Sequence, residues 1–168
     1  DVCSSDLAVH TRLRAFGFQF LAADPGLTDA VAAEMGVSKC SPETLLQTAD
    51  IISLHAPATD LTTEYFNAAR LATMQPHAML VNSARGQLIN EADLAAALTK
   101  GIIAAAALDV FHVEPLPADS PLRHAPNLTL TPHAAWYSEA AIHRLQELVA
   151  QDITRALSGK GPRKPVPQ

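Results

Sequence analysis

The sequence predicts an α/β domain built on a doubly wound parallel sheet. Short apolar segments alternate along the chain with segments of helical pattern, and these apolar segments have no polar face. Strands that are apolar on both faces are typical of parallel sheets covered by helices on both sides. Several of the apolar segments are followed directly by polar or charged residues. Open parallel sheets bind their ligands at that end of the strands, so we expect the functional site there.

Six helices are predicted from apolar periodicity and from the residues at their ends. They cover residues 7–16, 27–35, 67–74, 90–98 and 136–157, and a further helix begins at Ser41. Glycine, the common C-terminal stop signal, follows several of them: Gly17, Gly36, Gly101 and Gly159. Ser41 and Asn90 are typical N-cap residues, and Pro42 suits a first helical position. Asp93 suits the positive end of a helix dipole.

Five short apolar segments predict the strands of the sheet. They cover residues 18–22, 50–54, 78–82, 102–108 and 128–130. Asp24-Pro25-Gly26 breaks the chain after the first of them. Because crossovers between parallel strands are right-handed, we expect the intervening helices to cover both faces of the sheet.

Composition excludes several classes of protein. The chain has 168 residues, of which 48% are hydrophobic and 17% charged, as in one globular domain. Its net charge of -5 gives it no attraction for nucleic-acid phosphates. No apolar run approaches the roughly 20 residues that span a bilayer. Cys3 and Cys40 form neither a disulfide framework nor a metal motif. We expect a cytoplasmic protein with no metal, no nucleic-acid partner and no membrane partner.

Three segments contain most of the residues that could take part in catalysis or ligand binding. They are Val81-Asn82-Ser83-Ala84-Arg85-Gly86, then Ala107-Leu108-Asp109-Val110-Phe111 with Glu114-Pro115, and then Thr131-Pro132-His133-Ala134-Ala135-Trp136. In order and spacing they resemble the D-isomer-specific 2-hydroxyacid dehydrogenases, and the resemblance extends over residues 7–157. It is closest to the C-terminal-binding-protein branch, which includes bacterial dehydrogenases and animal corepressors. The resemblance implies a Rossmann-like fold, NAD as cofactor, a 2-hydroxy or 2-keto acid substrate and a homodimer.

The chemistry of Arg85, Glu114 and His133 suits reduction of a 2-keto acid. Arg85 offers a planar fork that binds a carboxylate through two hydrogen bonds. His133 can donate or accept the carbonyl proton, and a neighbouring Glu114 would favour its imidazolium form and orient the ring. The resemblance assigns these catalytic roles to the same three residues. Taken singly, each has an ordinary alternative: a surface ion pair, a turn before proline, or a capped loop histidine.

Asp24 is placed to bind the ribose hydroxyls of a dinucleotide, because it follows a predicted strand. Its charge disfavours a 2′-phosphate and so favours NAD over NADP. The alternative is that Asp24-Pro25-Gly26 is only a turn. The resemblance assigns further residues to the cofactor cleft: His55, Pro57, Ser83, Ala84, Arg85, Asp109, His133 and Ala135. Trp136 is expected to wall the substrate pocket, although a helix-start aromatic is more often core, which we prefer for Tyr137.

The sequence departs from the family pattern at its N-terminus. No Gly-x-Gly-x-x-Gly is present, and alignment of residues 13–17 places Asp1, Cys3 and Asp6 at the three glycine positions. Side chains there obstruct the approach of backbone to pyrophosphate, and the two aspartates add like charge. The strand that should precede the loop is also missing. Either residues 1–6 are foreign or truncated sequence, or the protein is degenerate, and both readings predict weak NAD binding.

These observations divide the chain into four parts and predict its function. Residues 7–136 are a partial NAD-binding domain, 137–158 a C-terminal helix and 159–168 a Pro/Gly-rich tail, after the segment 1–6. The family's substrate domain is expected to be absent. The predicted function is NAD-dependent oxidoreduction of a 2-hydroxy acid, weak or inactive in this fragment alone. The alternatives are an NADH-sensing, corepressor-like binding module without catalysis and an inactive fragment.

Overall fold

The computed structural model describes residues 4–161 and divides the chain into two units, Asp1–His133 and Ala134–Gln168. The sequence places this boundary three residues later, after residue 136. The predictions that concern Asp1, Cys3 and most of the tail lie outside the described residues. All the strands belong to the first unit, and the long C-terminal helix belongs to the second.

Residues 4–161 form six α-helices. They are α1 (Ser4–Leu13), α2 (Asp29–Met35), α3 (Pro42–Thr48), α4 (Ala68–Leu71), α5 (Glu91–Thr99) and α6 (Glu139–Leu157). Short 3₁₀ turns cover Arg14–Phe16, Gly86–Leu88 and Pro121–His124. Among these residues no helix combines the length and the apolar character that crossing a membrane requires.

The same residues form six strands, all paired in parallel as predicted. They are β1 (Phe20–Ala22), β2 (Val37–Lys39), β3 (Ile51–Leu54), β4 (Met79–Asn82), β5 (Ala105–Leu108) and β6 (Leu128–Leu130). The expected single sheet is divided in two. β1 pairs with β2, and β3, β4, β5 and β6 form a separate four-stranded sheet in that order. No strand among the described residues joins the two sheets.

The four-stranded sheet carries the core of the first unit. Its most deeply buried side chains come from the strands, from α4 and α5 and from the segments beside them: Leu71, Leu80, Leu94, Ile103 and Leu122. The expectation that every strand is buried on both faces is wrong for β3. Ile51 remains 46% exposed while Ile52 is 4% exposed. One face of β3 is therefore not covered by any part of the chain that the structure describes.

Side-chain caps explain where the helices begin. The hydroxyl or amide oxygen of each N-cap residue accepts a backbone N–H three residues later, at Thr28, Ser41, Asn67, Asn90 and Ser138. Caps at Thr28 and Ser138 start α2 and α6 later than predicted. The predicted helix over residues 67–74 shrinks to α4. The sequence did not predict β2, because three residues (Val37–Lys39) are too few to show an alternation of apolar and polar side chains. Tyr137 was expected in the core, but it is 63% exposed.

Candidate active site

The carboxyl ends of the strands in the four-stranded sheet lie at one edge. Their last residues are aligned in register, since Leu54 pairs with Asn82, Asn82 with Leu108, and Leu108 with Leu130. The residue that follows each strand therefore emerges at this same edge. This alignment is the reason that segments far apart in sequence can meet in one place, as the sequence predicts.

Arg85 is presented by a turn that Asn82 holds together. The Asn82 side chain is 1% exposed, and both ends of its amide are used. Its Nδ2 donates to the Arg85 carbonyl oxygen at 2.9 Å, and its Oδ1 accepts from the Ala84 N–H at 3.0 Å. The Arg85 side chain is exposed beyond this turn. The sequence analysis did not select Asn82, although a polar residue that ends a buried strand is a usable signal.

Glu114 and His133 form a hydrogen-bonded pair, as predicted. His133 Nδ1 donates to Glu114 Oε2 at 2.7 Å, and the Phe111 N–H donates to Glu114 Oε1 at 3.0 Å. The hydrogen bond from His133, and after it the one from Phe111, holds the pKa of Glu114 below its usual range. His133 has a φ of 53°, a left-handed conformation that is strained for a side-chain-bearing residue.

Asp109 and Thr131 fasten the segment that carries His133 to the sheet. The Thr131 hydroxyl donates to Asp109 Oδ1 at 2.5 Å, and the Asp109 side chain is buried. The Thr131 N–H donates to the Leu108 carbonyl, and the His133 N–H donates to the Thr131 carbonyl. The buried Asp109 side chain therefore supports the end of β5. Its contact with a nicotinamide remains a prediction.

A cleft of about 230 Å³ brings the predicted catalytic residues together. Its lining consists of Arg85, Gly86, Gln87, Val110, Phe111, His112, Glu114 and His133. The convergence of Arg85, Glu114 and His133 agrees with the prediction. Gln87 and His112 also line the cleft and were missed, because nothing in their local sequence distinguishes them from ordinary loop residues.

His55 lies at the end of β3, and serine hydroxyls engage both nitrogens of its ring. Ser5 Oγ is 3.0 Å from Nδ1, and Ser53 Oγ is 2.9 Å from Nε2. Burial lowers the pKa of His55, and the nearby carboxylate of Asp6 raises it in part. His55 is thus placed beside the first turn of α1, where the sequence aligns with the cofactor loop.

Asp24 follows β1, and one of its carboxylate oxygens is already used. Asp24 Oδ1 accepts the Gly26 N–H at 2.6 Å, so the turn considered as the alternative is present. Pro57 and Ser83 are exposed, and Ala84 is partly buried. Asp24, His55 and Pro57 do not line the cleft around Arg85. Their cofactor contacts stay predictions.

Ala135 and Trp136 belong to the second unit, where Trp136 is 52% exposed. Their parts in cofactor and substrate binding stay predictions. Across residues 4–161, no three His, Cys, Asp or Glu side chains lie close enough to hold a metal ion.

The arrangement around the cleft can bind an anion and move a proton. Arg85 supplies a fixed positive charge with a forked set of donors. Because Glu114 engages Nδ1 of His133, proton exchange with a bound oxygen would take place through Nε2. A carboxylate next to an imidazole is a common way to orient the ring of a histidine that exchanges protons.

Known proteins resemble the chain over most of its length. It is 37% identical over 155 residues to a glyoxylate reductase of Korarchaeum cryptofilum, covering 92% of the chain and 47% of that protein. It is 40% identical over 152 residues to a D-3-phosphoglycerate dehydrogenase of Mycobacterium bovis, covering 90% of the chain and 29% of that protein. The chain thus spans about half the length, or less, of the curated relatives it matches. The resemblance to the C-terminal-binding-protein branch stays a prediction.

Solved structures show the same likeness. The crystal structure of D-lactate dehydrogenase with NAD⁺ from Lactobacillus jensenii superposes with a TM-score of 0.84 at 32% identity, covering 96% of the chain and 52% of that structure. A protein from Thermus thermophilus gives 0.86 at 34% identity, covering 96% and 50%. The family described as D-isomer specific 2-hydroxyacid dehydrogenase, NAD binding domain, matches residues 7–135. The chain therefore belongs to the D-isomer specific 2-hydroxyacid dehydrogenases, and residues 7–135 correspond to their NAD-binding domain.

Proposed function

We propose that the chain is the cofactor-binding half of an NAD-dependent oxidoreductase that interconverts a 2-hydroxy acid and a 2-keto acid. The observation that carries the proposal is the meeting of Arg85, Glu114 and His133 at one cleft, at the carboxyl edge of a parallel sheet. Relatives named glyoxylate reductase and D-lactate dehydrogenase support the same substrate class.

Each of the three residues has a distinct part in this reaction. The Arg85 guanidinium binds the substrate carboxylate through two hydrogen bonds and places the neighbouring carbonyl in the cleft. His133 gives a proton to the carbonyl oxygen in the reductive direction and takes it back in the oxidative direction. Glu114 holds the imidazole in place by accepting the hydrogen bond from Nδ1. NAD, when bound, supplies or accepts the hydride.

The described residues fit the nicotinamide and the ribose of NAD better than they fit its pyrophosphate. Toward the nicotinamide, the strand ends that carry Ser83 and Asp109 lie in register beside the cleft. Toward the ribose, Asp24 keeps a second carboxylate oxygen beyond the one bound to Gly26. Toward the pyrophosphate, Asp6 places a carboxylate in the first turn of α1, where it repels an anion. The chain should therefore bind the dinucleotide weakly.

Isothermal titration of the 168-residue chain with NADH tests this fit. We expect a dissociation constant weaker than about 1 mM, corresponding to less than roughly 4 kcal/mol of binding free energy. Micromolar affinity would contradict the argument from Asp6. An Asp6→Gly variant should bind NADH more tightly than the parent chain, and Asp29→Gly, which alters the first turn of α2 instead, serves as its control.

Turnover tests the function itself. With NADH and a series of small 2-keto acids, Arg85→Ala should lower kcat/KM at least about a hundredfold in the complete gene product, since it removes a charge-assisted pair of hydrogen bonds. Arg144→Ala removes an exposed arginine from α6 and should leave turnover unchanged. A protein that binds NADH but never oxidises it with any 2-keto acid would be the sensing module and not the enzyme.

The proposal also covers the wider setting of the protein. It includes a homodimer, a cytoplasmic location, and no nucleic-acid or membrane partner. The net charge of -5 supports the exclusion of nucleic acid. Light scattering on the purified complete gene product measures its subunit number, and a monomer at micromolar concentration would refute the dimer.

A further inference from the structure

The segment that carries Glu114 is a loop without regular secondary structure, and its position has to be set by contacts from elsewhere. It follows β5, running from Val110 to Glu114. Inside the loop, the Phe111 N–H donates to Glu114 Oε1, which curls the segment onto itself. That local bond does not decide where the loop lies relative to Arg85. A contact from a different part of the chain is needed for that.

Glu91 supplies such a contact. It is the first residue of α5, and its Oε1 accepts the His112 N–H at 2.7 Å across 21 residues of sequence. His112 lies two residues before Glu114 and lines the cleft. The bond therefore fastens the middle of the loop to the start of a helix that packs in the core through Leu94.

Gly86 makes a second contact between the same two segments. A Cβ atom built on Gly86 would lie 2.0 Å from the Phe111 carbonyl carbon, so the two backbones touch directly. Gly86 is adjacent to Arg85, and Glu91 follows five residues later on the same stretch of chain. Residues 85–91 thus carry the guanidinium of Arg85 and also contact the loop at two positions, through Gly86 and through Glu91.

We propose that Glu91 is a positioning residue, which holds the loop of residues 110–114 so that Glu114 meets His133 beside Arg85. Its relevance to catalysis rests on the proposed function, whereas the tether itself does not. Glu91 touches no reacting atom in this scheme and acts through the backbone of His112. Without it, the loop keeps its contact at Gly86 but can pivot, which weakens the hydrogen bonds that Glu114 accepts.

Two measurements on the 168-residue chain test the tether, and neither needs cofactor or substrate. Amide hydrogen exchange reports the His112 N–H, and a carbon-13 titration of side-chain carboxyls reports Glu114. In Glu91→Ala we expect exchange at His112 to become faster by on the order of tenfold, since a charge-assisted acceptor is lost. We also expect the pKa of Glu114 to rise toward its ordinary value. Glu91→Gln retains an acceptor oxygen and should restore both in large part.

Asp93→Ala is the matched control. Asp93 stands in the same first turn of α5, and its Oδ2 accepts the Ala68 N–H at the start of α4. The substitution removes one negative charge and one hydrogen bond to a distant backbone N–H, as Glu91→Ala does, but the hydrogen bond lost is to Ala68, which does not line the cleft. Asp93→Ala should leave the pKa of Glu114 unchanged. If Glu91→Ala does not fold, the shorter Glu91→Asp, which cannot reach His112, replaces it.

The proposal is overturned if Glu91→Ala leaves His112 exchange or the Glu114 titration unchanged, or if Asp93→Ala shifts Glu114 as much. A merely stabilising role for Glu91 would lower the unfolding free energy without moving that titration. Absence of NADH turnover in the complete gene product would refute the proposed function and would leave these two measurements standing.

Discussion

A methyl group at Gly86 would separate the turn that carries Arg85 from the loop that carries Glu114. The nearest atoms to a Cβ at this position are all backbone: the Phe111 carbonyl carbon at 2.0 Å, its oxygen at 2.1 Å and the His112 nitrogen at 2.5 Å. Carbon atoms attract each other only from about 3.5 Å outward, so the two segments must part by about 1.5 Å. The φ of Gly86 lies outside the left-handed region, so the effect isolates this close approach.

The displacement has two measurable consequences. Forced overpacking of this kind costs about 1–3 kcal/mol of unfolding free energy, which lowers the Tm by about 2–12 °C for a chain of this length. The 2.7 Å bond between His133 and Glu114 fails when stretched by about 1 Å. If the loop moves, Glu114 loses the hydrogen bond that chiefly lowers its pKa, so its pKa should rise.

Urea unfolding and the carboxyl titration of Gly86→Ala check both consequences. Gly26→Ala is the control, because its Cβ would meet only the Asp24 side-chain oxygen, at 3.3 Å. If Gly86→Ala is as stable as Gly26→Ala and Glu114 titrates as in the parent chain, the backbone contact does not hold the site and the reasoning is wrong.

Two further results are expected. The pKa of Glu114 is lowered in the folded chain, mainly by the hydrogen bond from His133. The pair therefore stabilises the fold at pH values above the pKa that a glutamate has in the unfolded chain. This stabilisation is lost as the pH falls through the lower pKa that Glu114 has in the folded chain. Urea unfolding at falling pH should show a loss of stability in acid that is smaller in Glu114→Gln, and equal losses would contradict it. Asn82→Ala leaves the Ala84 N–H and the Arg85 carbonyl without their buried partner, which should cost about 1–3 kcal/mol. A loss within about 0.5 kcal/mol in the same assay would show that the amide does not hold the turn.

Patterns within a few residues of sequence predicted much of this fold. The features that they did not predict depend on contacts between residues far apart in the sequence. Ser41 and Asn90 were recognisable as N-caps because a cap is decided within four residues. The meeting of Arg85, Glu114 and His133 was predictable because parallel strands end at one edge. The division into two sheets was not, since no local pattern specifies which strands pair.

The residues that support the site were the hardest to find from sequence. Asn82, Gly86 and Glu91 are ordinary in their local patterns, as a strand-end amide, a turn glycine and a helix-start carboxylate. Their importance comes from what lies opposite: the Arg85 carbonyl, the backbone of Phe111 and the N–H of His112. Such pairings depend on the tertiary structure, so only the folded chain shows them.

Among the described residues, the hydrogen bonds that order the proposed catalytic residues lie at the carboxyl edge of the four-stranded sheet, in its loops and at the start of α5. The Asp109 N–H donates to the Asn82 carbonyl, and the Thr131 hydroxyl donates to Asp109, so β4, β5 and β6 are fastened to one another at their carboxyl ends. Asp24, by contrast, follows β1 in the separate two-stranded sheet. We therefore expect the ribose and pyrophosphate contacts of a dinucleotide to depend on parts of the first unit other than those that hold His133 and Glu114 together. A change near Asp6 or Asp24 should alter NADH binding while the His133–Glu114 pair stays intact.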